Sequence, residues 1–249
     1  MLDLEDCILA GSAITAPFLR DGLARVLDLG RDAADGWESV RLSLRIGGAE
    51  RVHRHVTMKL ASAFGYGRPV RQSDVTTREG PEDGGWLLRA SGGKQLRAWS
   101  IPSDVDLDGL EQSPRSYRSS PTRIAQRVLL ARGERAGLLT NGEVLRLLLS
   151  HPSHADSHLS IGISLWRQAP LPPDSFRVLK ALAGVDGLAR LPAVLEAARL
   201  HQARVTTELR RQAKEAIVGF INALPSRRGL IRRLCGMRAW FWFTGCCSF

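Results

Sequence analysis

Residues 135–148, with the sequence RAGLLTNGEVLRLL, decide the fold of this chain. Two apolar runs, Gly137–Leu139 and Val144–Leu149, flank the pair Asn141-Gly142. Asn and Gly tolerate the positive φ angles that a two-residue type I′ turn requires. The stretch therefore predicts a β-hairpin with Asn141 and Gly142 at the centre of its turn.

A helix is predicted immediately before the hairpin. Ser119 and Ser120 can cap a helix, and Pro121 suits a first helical position. Apolar residues then recur at helical spacing up to Leu129. A helix over 121–132 therefore leads directly into the hairpin.

This arrangement of helix, GLLTNG turn and strand resembles the end of the degenerate nuclease-type domain that opens many type IIG-like restriction-modification and phage-defence methyltransferase proteins. In that family an aromatic residue and an arginine follow the turn, whereas here Leu145 precedes Arg146. A second stretch, residues 197–214, is similar to the long connecting helix of the same proteins. The resemblance covers roughly residues 7–226, so this chain would correspond to the front end of a longer protein.

The order of predicted elements agrees with that resemblance. Val52, Val56, Leu60 and Phe64 share one face of a helix over 49–64. Strands are predicted over 70–76, 86–90 and 96–101, before the helix at 121–132 and the strand at 137. The order α-β-β-β-α-β is the core of the PD-(D/E)xK nuclease-like fold. The fold class is therefore predicted as α/β, with a mixed central sheet followed by a long basic helix.

Four regions are predicted along the chain: an N-terminal helical region over 1–48, a nuclease-like α/β domain over 49–190, a long amphipathic basic helix over 191–226, and an irregular aromatic and basic tail over 227–249. Residues 37–46 suit a strand or a helix equally well. A strand is predicted over 159–166 and a short helix over 175–183. Pro192 is predicted to begin the long helix.

The positive charge is concentrated near the C-terminus. The chain carries a formal charge of +10, and residues 199–238 hold ten Arg or Lys against two acids. Basic side chains spaced along a helix can follow a phosphate backbone, so double-stranded DNA is the predicted partner, although an ordinary solvated helix surface has the same pattern. The predicted contacts are Arg199, Arg204, Arg210, Arg211 and Lys214, with Arg118 and Arg123 beside the helix at 121–132.

No catalytic residue, metal ligand or cofactor is predicted. Nucleases of the family carry an acid and a Lys on the third strand, where this chain has Leu96-Arg97-Ala98-Trp99-Ser100. The nearby acids lie in loops, and the group His151, His154, Asp156 and His158 reads as a turn. Methyltransferase, phosphate-loop and nucleophile-elbow motifs are absent from the sequence.

The sequence thus predicts a non-catalytic module of a restriction-modification or phage-defence system that engages DNA or docks to a DNA methyltransferase domain or subunit. One alternative is a divalent-metal endonuclease with relocated acids such as Asp83 and Asp104. Another is a membrane-peripheral protein anchored by residues 227–249, although membrane association is not favoured. The few cysteines and the absence of a leader or a run of ~18 apolar residues predict a cytoplasmic location.

Overall fold

The computed structural model describes residues 2–27, 29, 35–110, 119–150 and 157–223. Within them the chain forms an α/β fold around a seven-stranded mixed sheet, and a two-stranded hairpin lies apart from that sheet. The strands are β1 (Cys7–Ala10), β2 (Val70–Arg71), β3 (Val75–Thr77), β4 (Gly80–Glu82), β5 (Trp86–Arg89), β6 (Gln95–Ser100), β7 (Ala136–Thr140), β8 (Val144–Leu149) and β9 (Ser157–Gly162).

The helices are α1 (Leu23–Val26), α2 (Trp37–Ser43), α3 (Ala49–Val52), α4 (Met58–Ala63), α5 (Pro121–Arg132), α6 (Asp174–Ala183) and α7 (Val185–Ala223). The predicted helix over 49–64 is confirmed, and a π-helical turn, His53–Thr57, joins α3 to α4. The ambiguous stretch 37–46 is helical over Trp37–Ser43, where Trp37 and Val40 are buried together with the following Leu44.

The sheet order is β1-β9-β8-β7-β6-β5-β2, and β6 and β7 are its parallel pair. Two parallel neighbours need a crossover, and α5 supplies it. The other neighbouring strands pair antiparallel.

Both faces of the central strands are buried. Leu138 and Leu147 belong to the larger core, together with residues of α3, α4, α6 and the first part of α7. Leu139 and Leu148 point the other way, into a smaller core with α5. Consecutive strand residues alternate between faces, so the apolar run of β8 fills two cores at once.

The predicted hairpin is confirmed, but its turn is centred one residue later than predicted. Thr140 pairs with Leu145, so Asn141 faces Val144, and Gly142 and Glu143 are the central residues. Gly142 has a φ of 89°, which places the positive φ at the first central position, as in type II′ turns. Asn141 instead uses its side chain: Oδ1 accepts the N–H groups of Glu143 and Val144 at 3.1 and 2.9 Å.

Two strands were not predicted. The region over 1–48 is not wholly helical, because β1 forms an edge of the sheet and pairs with β9. Strand β4 pairs with β3 where a loop was predicted. The segment 70–76 is divided accordingly: β2 joins the large sheet, whereas β3 belongs to the separate hairpin.

The long helix begins earlier than predicted. It starts at Val185 and continues through Pro192. Pro192 has no N–H to donate to the carbonyl four residues earlier. Burial of Leu191, Val194 and Ala198 compensates for that loss by fixing this part of the helix to the core.

The chain divides into two compact units, with the boundary between Gln202 and Ala203. The sheet and the helices before residue 202 form the first unit. The second unit contains the later part of α7. Among the described residues, no helix combines the length and apolar character needed to cross a membrane.

Candidate nucleic-acid interface

The part of α7 that follows Gln202 is exposed along all of the residues whose side chains are described. Arg204, Arg210 and Lys214 lie on this part of the helix. None of the three makes an ion pair within the portion of the chain that the structure describes. Among the described residues, no carboxylate therefore pairs with their positive charges.

Arg199 and Arg211 differ from these three residues. Arg199 forms a salt bridge of 2.7 Å with Glu196, and Arg211 bridges Glu208 and Glu215 at 2.6 Å each. Hydrogen bonds from Arg199 and Arg211 hold the pKa values of Glu196 and Glu208 below their ordinary range. Two of the five predicted contacts on this helix are thus already bound to acids.

The three cations without ion pairs are closely spaced. Arg210 and Lys214 stand at i and i+4 and share one face of the helix. Arg204 to Lys214 spans about 15 Å of helix axis at 1.5 Å per residue. At 3.6 residues per turn, Arg204 lies about 80–120° around the helix axis from the other two, so the three charges occupy one broad side of the helix.

The same segment also exposes large apolar side chains. Val205, Leu209, Ile217, Phe220 and Ile221 are between 42% and 66% exposed. They follow helical spacing, and we call them the α7 apolar stripe. Exposed apolar patches of this kind mark interaction surfaces in folded proteins.

Of the two predicted contacts beside α5, Arg118 and Arg123, the structure describes only Arg123. Arg123 is exposed on the first turn of α5, where its backbone N–H donates to the Ser120 hydroxyl at 3.4 Å. Ser120 is the N-cap, as predicted. Arg118 lies outside the described residues.

Strand β6 carries a buried arginine at the place where the sequence lacks a nuclease acid. Arg97 is 2% exposed and binds Glu134 through Nε and Nη2, at 2.7 and 2.6 Å. Its Nη1 donates to the carbonyl of Gly84. Trp99, two residues further along the strand, donates its indole N–H to the carbonyl of Asp83. This strand therefore uses its polar groups to hold the loop before β5.

Four of the nearby acids are bound to arginines, and the first is Glu79, which pairs with Arg127 at 3.7 Å. Glu82 is fully buried and accepts from Arg127 at 2.8 Å, and Asp83 pairs with Arg71 at 2.8 Å. The fourth is Asp108, whose partner is Arg146, whereas Asp104 and Asp106 are exposed. Within the described ranges, no three His, Cys, Asp or Glu side chains come close enough to hold a metal ion.

Arg146 ties the loop before α5 to the sheet. Its side chain is 7% exposed, and Nη1 and Nη2 bind the two carboxylate oxygens of Asp108 at 2.7 and 2.9 Å. It also donates to Thr122 at 2.5 Å and to Ser160 at 2.8 Å. Hydrogen bonding from Arg146 lowers the pKa of Asp108.

A second polar cluster was not found from the sequence. The rings of His53 and Trp86 stack at 3.7 Å, with the Arg71 guanidinium 5.5 Å from the Trp86 ring centre. Burial, and then the charge of Arg71, lower the pKa of His53.

The sequence carries only a weak signal for this His53–Trp86 cluster, since His53 lies within a helical pattern and Trp86 opens a strand. The signal for Arg97 and Arg146 is clearer: an arginine inside an otherwise apolar strand indicates a buried, paired side chain.

His151, His154 and Asp156 lie outside the described residues, as does the tail at 227–249. His158 is part of β9. Comparison with known proteins adds nothing to this picture: no family model, no curated protein and no solved structure matches the chain.

Proposed function

We propose that this chain is a non-catalytic, nuclease-like α/β module of a restriction-modification or phage-defence system, and that it engages duplex DNA. The observation that carries the proposal is the group of three cations without ion pairs, Arg204, Arg210 and Lys214, on the exposed part of α7. Glu208 and Glu215 pair with Arg211, and neither forms an ion pair with these three cations. Phosphates would supply the missing negative charge.

The order of elements within the large sheet supports the nuclease-like origin. When the separate β3–β4 hairpin is left out, the helix over 49–63, strands β2, β5 and β6, the crossover α5 and the parallel strand β7 occur in the α-β-β-β-α-β order. On β6, Arg97 occupies the interior with Glu134 as its partner. A buried ion pair at this place favours a structural role for the strand over a metal-binding one.

A salt series of duplex binding tests the proposal. Each phosphate contact contributes about 0.9 to the slope of log affinity against log salt. The triple variant Arg204→Gln/Arg210→Gln/Lys214→Gln should therefore lower that slope by up to about 2.7 and weaken binding for all sequences alike.

The control variant removes the same total charge from exposed arginines of the first unit, as Arg20→Gln/Arg89→Gln/Arg132→Gln. It should retain most of the affinity if the contact is local to α7. Equal losses in the two triple variants, or no binding by the wild-type chain at low salt, would contradict the proposal.

The α7 apolar stripe favours a second role, docking to a DNA methyltransferase domain or subunit. We propose that an amphipathic helix of that partner covers the stripe, as the resemblance to methyltransferase-linked proteins implies. With a methyltransferase from the same restriction-modification system, Leu209→Ser/Phe220→Ser should abolish co-elution and leave the salt dependence of DNA binding unchanged. Co-elution that persists in this variant, or self-association of the chain through the stripe, would contradict this role.

The alternative of an endonuclease with relocated acids has its own test. Plasmid cleavage in magnesium or manganese that is lost in Asp83→Ala or Asp104→Ala would favour it. We expect no such cleavage, because Asp83 is engaged by Arg71 and by the N–H of Gly85.

A further inference from the structure

A cleft in the first unit has none of Arg204, Arg210 and Lys214 among its lining residues. Its volume is about 210 Å³. The cleft is lined by the first part of α7, the loop after β1, the residue before β7 and the end of β8. Its apolar surface comes from Ala13, Leu149, Pro192 and Leu195.

The charged groups of the cleft are unbalanced. Arg135, Arg199 and Glu196 line it. Glu196 is already paired with Arg199 at 2.7 Å. Arg135 makes no ion pair with any residue that the structure describes. The lining residues therefore carry one uncompensated positive charge.

Hydrogen-bonding groups stand beside this charge. Gln202 and the hydroxyl residues Ser12 and Ser150 also line the cleft. The backbone there is held in place, since the N–H groups of Ser12 and Ala13 donate to the Ser157 hydroxyl at 3.2 and 3.1 Å. A concave, largely apolar cleft with a few fixed polar groups is the usual form of a small-molecule site.

We propose that this cleft binds a small amphipathic monoanion, with its carboxylate or phosphate group on Arg135 and its apolar body against Leu149 and Leu195. An apolar cavity of about 150 Å³ holds benzene, so about 210 Å³ accommodates a six-carbon chain with its carboxylate. One excess guanidinium matches one negative charge, and the apolar surface accommodates the chain.

Isothermal titration of the full chain with sodium hexanoate tests the proposal. A ligand of this size is expected to bind with a dissociation constant of about 1 mM or tighter. Hexylamine, which has the same apolar body and the opposite charge, should bind at least about tenfold more weakly. Acetate, which lacks the apolar body, should also bind at least about tenfold more weakly.

Two variants locate the site. Arg135→Gln should weaken hexanoate binding about tenfold, whereas Arg132→Gln, an exposed arginine that does not line the cleft, should leave it unchanged. Gln202→Trp should reduce binding by filling the opening. Equal binding of hexanoate and hexylamine, unchanged binding in both Arg135→Gln and Gln202→Trp, or no heat at about ten times the expected dissociation constant would overturn the proposal.

Discussion

Replacing Arg97 with methionine should destabilise the protein strongly, because it breaks a buried ion pair and keeps the volume of the side chain. Arg97 is 2% exposed and Glu134 is 13% exposed, so the remaining carboxylate would have little access to water. Removing one partner of such a pair costs about 3–5 kcal/mol. Because Glu134 keeps some exposure, we expect about 3 kcal/mol. For a chain of this size that corresponds to a fall in Tm of about 6–12 °C.

Calorimetric unfolding of four proteins measures the effect: the wild type, Arg97→Met, Glu134→Leu and the double variant. The double variant removes both charges, so it should recover about 2 kcal/mol of the loss. The rest is not recovered, because the Gly84 carbonyl still lacks its Arg97 donor. Arg89→Met, at an exposed position of β5, serves as the control and should change stability by less than about 0.5 kcal/mol. Additive losses in the double variant would refute the reasoning, because they would show that the two side chains are not coupled.

Three further predictions concern single groups. The pKa of Asp108 lies below its ordinary 3.8, so its ionised form stabilises the fold above about pH 4 and that contribution is lost as the pH falls through the lowered pKa. Asp108→Asn should flatten the acid side of a urea-unfolding series, and an unchanged pH dependence would contradict this. The pKa of His53 is also lowered, so stability should decline as the pH falls below about 6.5. In His53→Phe, which keeps an aromatic ring against Trp86, that decline should be smaller, and an identical decline in the same pH series would count against the assignment. Gly142→Ala forces a φ of 89° on a residue with a Cβ that lies 3.2 Å from Val52, and should cost about 1–2 kcal/mol in urea unfolding. Gly162→Ala, where a Cβ meets nothing within 4 Å, is its control, and equal effects would show that the turn does not need the glycine.

Local signals in the sequence are sufficient to predict α5 and the hairpin that follows it. A Ser N-cap, Pro121 at the first helical position and the residues Asn141-Gly142 act within a few positions of one another. The exact centre of the turn was not predictable in the same way. It depends on the Asn141 side chain, which also donates to the carbonyl of Val105, 36 residues away.

Strands β1 and β4 were missed because tertiary pairing, and not local preference, makes them strands. β1 has four residues, and its partner β9 lies some 150 residues later in the chain. β4 contains Pro81, which sequence rules count against a strand, although a two-stranded hairpin tolerates proline at its edge. The partners of Arg97 and Arg146 likewise lie 37 and 38 residues away.

The positions of the arginines, and not the net charge alone, decide which of them can contact a polyanion. Arg97 and Arg146 are buried, and each is bound bidentately to one carboxylate. They therefore stabilise loops and do not contribute to the positive potential at the protein surface. Among the predicted contacts on α7, Arg199 and Arg211 are engaged by acids one turn away. A polyanion would therefore meet Arg204, Arg210 and Lys214 first. For this reason, variants that remove equal charge from different positions separate a DNA-binding surface from a merely basic protein.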